Sequence, residues 1–226
     1  MKNQDTVILA VNNGTLLRDI EAIRPDLNAV TVGKTIPDIT TRGRIWCFVD
    51  WVLQECSGLE MCHKLRTSTA TADSHIMMVM ETRNSDAQRR AIRSGADSYI
   101  VGPITAELLI RKIDTYIIQR PYSKPETKLT HGDLVVDLNA YRVQYMGRNI
   151  ALPPNEFRVL THFIENPDRL LTRKNLIEML GKSEIAIDER IVNVWVRRLR
   201  QTLSHHQVPD PVRTVRSQGY VLDSIG

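Results

Sequence analysis

The chain has 226 residues, of which 25% are charged and 42% hydrophobic, a balance that suits folded domains and excludes wholesale disorder. Its length admits one large domain or two of ordinary size, and no run approaches the ~18 consecutive apolar residues of a membrane span. The net charge is only +4, and Cys47, Cys56 and Cys62 form no CxxC pair, which implies neither a disulfide frame nor a zinc site.

The start, MKNQDTVILAVNNG, has only VILAV as an apolar run and no small-residue cleavage site after it, so no signal peptide is read and a cytoplasmic location is expected. Short β-rich runs then alternate with helical patterns. Strands are predicted at Val7–Val11, Ala29–Val32, Ile45–Asp50, Ile76–Met80 and Tyr99–Val101. Helical patterns lie near 15–23, 58–67, 86–94 and 105–119. IWCFVD (45–50) and IMMVM (76–80) are apolar on both faces, as strands inside a helix-covered parallel sheet must be. Five strands alternating with helices predict a doubly wound α/β domain over residues 1–120. Function in such sheets collects outside the C-terminal strand ends, here Asn12–Asn13, Asp50, Met80–Glu81 and Gly102.

RPYSKPETKL, with two prolines, reads as a linker over 121–129. The pattern changes beyond it, giving a second, α+β domain over 130–226. Leu134–Val136, Arg142–Tyr145 and Ile150–Leu152 are short strands, with turns at Asn139 and at Met146–Gly147–Arg148–Asn149. A helix follows Pro153–Pro154–Asn155 and stops before Pro167. Thr172 is a candidate N-cap for RKNLIEML, with Gly181 as its stop. A longer helix opens at Asp188 or Glu189 and runs to about Leu203. Val212–Arg216 and Tyr220–Leu222 form a hairpin around Ser217–Gln218–Gly219.

Charge placement singles out this last region. Residues 190–216 carry six arginines against one acid, Asp210, which is either a phosphate-binding surface or an ordinary solvated face. On a helical wheel Val192, Val196, Leu199 and Leu203 share one side. Arg190, Asn193, Arg197 and Arg200 share the other, with Val194 among them and Arg198 on the flank. A major groove admits a helix, and an arginine fork pairs bidentately with phosphate or guanine. Asn193 is chemically able to pair bidentately with adenine. Trp195 falls at the margin, where it either packs at the core edge or donates its indole N–H to a backbone phosphate. A basic helix followed by a basic hairpin predicts DNA binding. His205–His206, at the helix end, reads as a favourable partner of the helix dipole. No Gly-rich phosphate loop, metal-ligand cluster or motif-placed Ser/His/Asp set supports an enzyme.

Three C-terminal stretches, PPNEFRVLTHFIENPDRLLTRKNLIEML, DERIVNVWVRRLRQTL and VRTVRSQGYVL, resemble the support helices, recognition helix and wing of response regulators of the OmpR/PhoB type. The resemblance covers nearly the whole chain. It implies a winged helix-turn-helix whose Arg190, Val194, Trp195, Arg197, Arg198 and Arg200 face the major groove or its rim, with Thr214 and Arg216 in the wing. FVDWVLQECSGLEMCHKLR and SGADSYIVGPI are similar to the family's receiver domain, a flavodoxin-like fold. They place Asp50 at the phospho-acceptor position, Tyr99 at the switch aromatic, and Asp97 and Lys112 at charged positions of a dimer face. The resemblance further implies double-stranded DNA as ligand, a homodimer through the receiver half, and RNA polymerase and a histidine kinase or other regulatory protein as partners.

The departures are specific. Asn12 and Asn13 stand where the family has its Mg²⁺-binding acids. Met80 stands at the signalling Ser/Thr, although a two-residue slip would put Thr82 there, and Glu81 lies beside it. Gly102 stands at the phosphate-pairing lysine, before Pro103, where the family commonly has a cis peptide. Ser98 replaces a usual acid. Leu180–Gly181 replaces a Trp-Gly in a loop that contacts polymerase in some relatives. Mg²⁺ binding at Asp50 is therefore expected to be weak or absent, and no other cofactor is expected. Three readings stay open: a DNA-binding regulator that works without ordinary aspartyl phosphorylation, a conventional regulator phosphorylated at Asp50, and an adaptor with little DNA affinity.

Overall fold

The computed structural model describes residues 4–33, 35–36, 39, 41, 43–118, 128–138, 140–180 and 189–224. The chain divides into two compact units, residues 1–121 and 122–226. No helix among the described residues is long and apolar enough to cross a membrane.

The first unit runs β1 (Thr6–Ala10), α1 (Leu16–Ile23), β2 (Asn28–Thr31), β3 (Ile45–Asp50), α2 (Gly58–Thr67), β4 (His75–Met80), α3 (Ser85–Arg93), β5 (Ser98–Val101) and α4 (Ala106–Ile118). The five strands are parallel, in the order β2-β1-β3-β4-β5. This is the doubly wound receiver-like fold. Strands β1 and β4 are buried along their whole length, and β3 up to Asp50, because helices cover both faces. Leu16, Ile20, Leu109 and Ile113 close one face over Val7, Leu9, Trp46 and Phe48. Ser57 and Asn84 cap α2 and α3 by accepting first-turn N–H groups. The strand order brings the C-terminal ends of β1, β3, β4 and β5 to one edge, which gathers Asn12, Asp50, Met80 and Gly102.

At the opposite edge the structure corrects one expectation. Asp97, read as a charged position of a pairing face, is fully buried. Its Oδ2 lies 2.6 Å from Arg66 Nη2 and accepts from Ile76 N–H at 2.9 Å. Arg66 also donates to the carbonyls of Gly95, Ala72 and Ser74. A carboxylate so enclosed holds α2 to the start of β4 and is not available to a second copy. Lys112 is exposed and Tyr99 half-buried.

The second unit contains β6 (Lys128–His131), β7 (Leu134–Asp137), β8 (Arg142–Tyr145), β9 (Arg148–Ile150), α5 (Pro154–Glu165), β10 (Leu171–Thr172), α6 (Arg173–Met179), α7 (Arg190–His205), β11 (Val212–Val215) and β12 (Gly219–Leu222). It is a winged-helix domain: among the described residues, an antiparallel β6-β7-β8-β9 sheet, the helices α5, α6 and α7, and a β10-β12-β11 sheet whose hairpin is the wing. β6 begins inside the stretch read as a linker, of which 121–127 lie outside the described residues, as do Asn139 and Gly181. The β8–β9 turn is only Met146–Gly147, both at positive φ (49° and 76°), the geometry of a two-residue hairpin turn. Arg148 and Asn149, expected in the turn, belong to β9. Thr172 caps α6 in a reciprocal box with Asn175, a cap worth about 1 kcal/mol.

Candidate nucleic-acid interface and sheet-end site

The wheel places the α7 core side correctly: Val192, Val196, Leu199 and Leu203 are all buried. The apolar face is wider than that stripe, since Ile191 and Trp195 are buried too. Trp195 is 0% exposed, which corrects its assignment to DNA. α7 packs against both α5 and α6, and the indole is enclosed within this unit.

The arginines divide by partner. Arg198 Nε lies 2.7 Å from Glu156 of α5, whose side chain is 0% exposed against 15% for Arg198. Arg198 therefore ties α7 to α5, a second correction to the groove-facing set. Arg200 donates to Val212 O (2.6 Å) and Thr214 Oγ1 (3.0 Å) and pairs with Asp210 (2.8 Å), bracing the wing. Arg213 is bidentate with Asp223 (2.8 and 2.7 Å), and the guanidinium holds the Asp223 carboxyl below its usual range. Arg198, Arg200 and Arg213 are thus matched by acids among the described residues, and Glu156 and Asp223 lie outside the 190–216 window. Arg190, Arg197 and Arg216 are exposed; Arg197 and Arg216 have no polar partner among the described residues. Val194 is half-buried beside them. A shallow depression of about 570 Å³ lined by Arg197, Arg200, Gln201, Ser204 and His205 adjoins this face.

Asn193, exposed one turn before Arg197, is not free to pair with adenine as expected. Its Oδ1 accepts from Tyr220 Oη (2.8 Å) and from Arg173 Nε (3.0 Å). Arg173, at the start of α6, also stacks its guanidinium 5.4 Å from the Tyr220 ring centroid. Arg173 and Tyr220 escaped the sequence reading. The available signal was the T-R at the N-terminus of α6, a basic residue where the helix dipole disfavours one. Arg158, also missed, donates to Met179 O and Leu180 O, closing the end of α6.

At the sheet edge of the first unit, Asp50 is half-buried and its Oδ2 accepts from Asn12 N–H at 2.7 Å. The Asn12 side chain donates to Val52 O at 2.7 Å, completing a clasp between the loops after β1 and β3. Asn13 Oδ1 accepts from Thr15 N–H and Oγ1 at 3.1 and 3.2 Å, an Asx turn leading into α1. Burial pushes the Asp50 carboxyl upward, opposed by the Asn12 bond. Met80 is buried, while Glu81 and Thr82 are both exposed. Gly102 has φ +102°, a conformation that strains any L side chain. The Gly102–Pro103 peptide is trans.

Among known proteins, residues 147–222 match the family described as "Transcriptional regulatory protein, C terminal". The chain is 32% identical over 205 residues to the phosphate regulon transcriptional regulatory protein PhoB of Rhizobium meliloti (strain 1021), a match covering 89% of this chain and 86% of that one. It is 32% identical over 175 residues to the DNA-binding response regulator MtrA of Mycolicibacterium smegmatis, covering 76% and 74% respectively. Of solved structures, a cysteine mutant of RitR aligns at a TM-score of 0.58 and 21% identity over 98% of this chain and all of that one, a likeness of fold alone.

Proposed function

Because this chain belongs to the OmpR/PhoB family of response regulators, and is therefore a DNA-binding transcription regulator, we propose that its receiver unit governs DNA binding without ordinary phosphorylation of Asp50. The clasp around Asp50 carries this reading. Joining phosphate to a carboxylate needs nearby positive charge, which a Mg²⁺ ion held by one or two carboxylates supplies. Asp50 is the one carboxylate among the matched ligand positions. The Asn12 side-chain amide N–H is held by Val52 O, which leaves only its neutral carbonyl oxygen, and the Asn13 side-chain carbonyl already accepts from Thr15. Amide oxygens bring no charge in any case. The residues present do not fit the metal.

The remaining chemistry points the same way. Gly102 offers no cation to pair with a phosphoryl group, and its backbone conformation disfavours the lysine that would. Met80 is buried and has no hydroxyl with which to sense phosphate. Asp50 Oδ2 instead accepts the Asn12 N–H, a bond between the loops after β1 and β3.

Through α7, the exposed Arg190 and Arg197 face the major groove, and Arg216 reaches phosphate from the wing. The test replaces Asp50 by Asn and by Ala at the native locus and treats the purified protein with acetyl phosphate and Mg²⁺. Retained regulation in both variants and an unchanged DNA affinity are expected. Loss of regulation in both, with a treatment-driven gain in affinity, would overturn the reading.

A further inference from the structure

We propose that Asn193 reads DNA as a donor-only side chain, favouring a base that presents acceptors, guanine or thymine, and rejecting adenine. This rests on the reading of α7 as the groove-entering helix. An asparagine that recognises adenine must donate from Nδ2 to N7 and accept at Oδ1 from the N6 amino group. Here Oδ1 already receives Tyr220 Oη–H at 2.8 Å and Arg173 Nε–H at 3.0 Å. The orientation of the amide follows from chemistry: a guanidinium only donates, so the atom facing it must be the oxygen. A carbonyl oxygen has two lone pairs, and both are occupied.

The donors are locked in turn. The Tyr220 ring is flanked by the guanidinium groups of Arg173 (5.4 Å) and Arg200 (6.0 Å), and Arg200 is itself held to β11. Tyr220 is buried, and its ring also meets Phe163 edge-on at 6.5 Å. Turning the amide over would set Nδ2–H against the Arg173 N–H, donor against donor. The side chain therefore presents two N–H groups outward, where no acceptor meets them among the described residues. Guanine offers N7 and O6, and thymine offers O4. Adenine and cytosine place an exocyclic amino donor against the amide donors. Three elements, α6, α7 and the wing, thus set one base preference.

The experiment selects bound sequences from randomised duplex DNA with the full-length protein, then measures affinity for every base at each selected position. The base under Asn193 is the one whose preference alone changes in Asn193→Asp. That variant keeps an oxygen for Tyr220 and Arg173 but loses the donors. The wild type should favour guanine or thymine there by about fivefold or more over adenine, and Asn193→Asp should erase that preference. Arg173→Met with Tyr220→Phe frees the oxygen, and the preference should move toward adenine. Thermal unfolding confirms that each variant is folded. A wild-type preference for adenine at that position, or no position that responds to Asn193→Asp, would overturn the proposal. Failure of the groove reading itself shows differently: the wild type would select no sequence at all.

Discussion

Arg197 and Arg198 are adjacent in sequence and identical in chemistry, yet their mutants should fail in different assays. Arg198→Ala removes the cation beside Glu156, whose carboxylate is 0% exposed. Breaking a buried pair by deleting one partner costs about 3–5 kcal/mol, a large share of the roughly 5–15 kcal/mol that holds a domain folded. At about 4–8 °C per kcal/mol for a domain of this size, the winged-helix transition should fall by at least ~12 °C. Arg197 is exposed and has no polar partner among the described residues, so the stability of Arg197→Ala should stay within about 0.5 kcal/mol of wild type. Its DNA affinity should drop by roughly 5- to 150-fold if the lost contact is to a base edge. Calorimetry of the full chain, with the two units followed as separate transitions, and binding titration at fixed salt read both quantities. The double variant Glu156→Gln/Arg198→Met should recover part of the lost stability, because the buried carboxylate is removed along with its cation. An Arg198→Ala protein that unfolds within a few degrees of wild type but no longer binds DNA would refute this division.

Three further outcomes follow from the first unit and the wing. Burial raises the Asp50 carboxyl pKa, so the ionised folded form is disfavoured once the pH exceeds its unfolded value, about 3.9; Asp50→Asn should raise the unfolding temperature at pH 7, with the gain vanishing below about pH 4. The Cys47 thiol is pushed up to about 12 by burial, so iodoacetamide at pH 8 should spare Cys47 in the folded protein and label the half-buried Cys56, as read by mass spectrometry of peptides; rapid labelling of Cys47 would contradict the buried β3. Arg216→Ala should weaken binding to all sequences about equally and lower the magnitude of the salt slope by about one; a change in sequence preference would assign Arg216 to base edges.

Most of the fold was legible because apolar periodicity reports burial directly. Strands β1, β3 and β4 are continuous apolar runs, and each was found within a residue of its bounds. β6 was missed for the same reason: KLTH has one apolar residue and no buried one, so it joins the sheet through its backbone ladder with β7 and carries no side-chain signal. The turn at Met146–Gly147 was drawn two residues too long. A two-residue hairpin is set by positive φ at both positions, and only the glycine announces that in sequence.

The DNA face was half legible, and the reason is geometric. A wheel gives each side chain a direction from the helix axis, which sufficed for Val192, Val196, Leu199 and Arg197. It says nothing of partners far along the chain. Glu156 lies 42 residues before Arg198, Tyr220 lies 27 after Asn193, and Arg173 lies 20 before it. Each of those distant groups removes hydrogen-bonding capacity that the wheel had assigned to DNA. The count of arginines in 190–216 therefore overstated the charge facing the groove, because Asp223 and Glu156 sit outside that window. The same arithmetic applies at the sheet edge. Asn12 and Asn13 could be aligned with missing acids, but that the Asn12 side-chain N–H is held by Val52 and the Asn13 side-chain carbonyl by Thr15 is a fact of the folded loops. A recognition surface is what remains after the scaffold has taken its hydrogen bonds, and sequence proximity is a poor guide to what the scaffold takes.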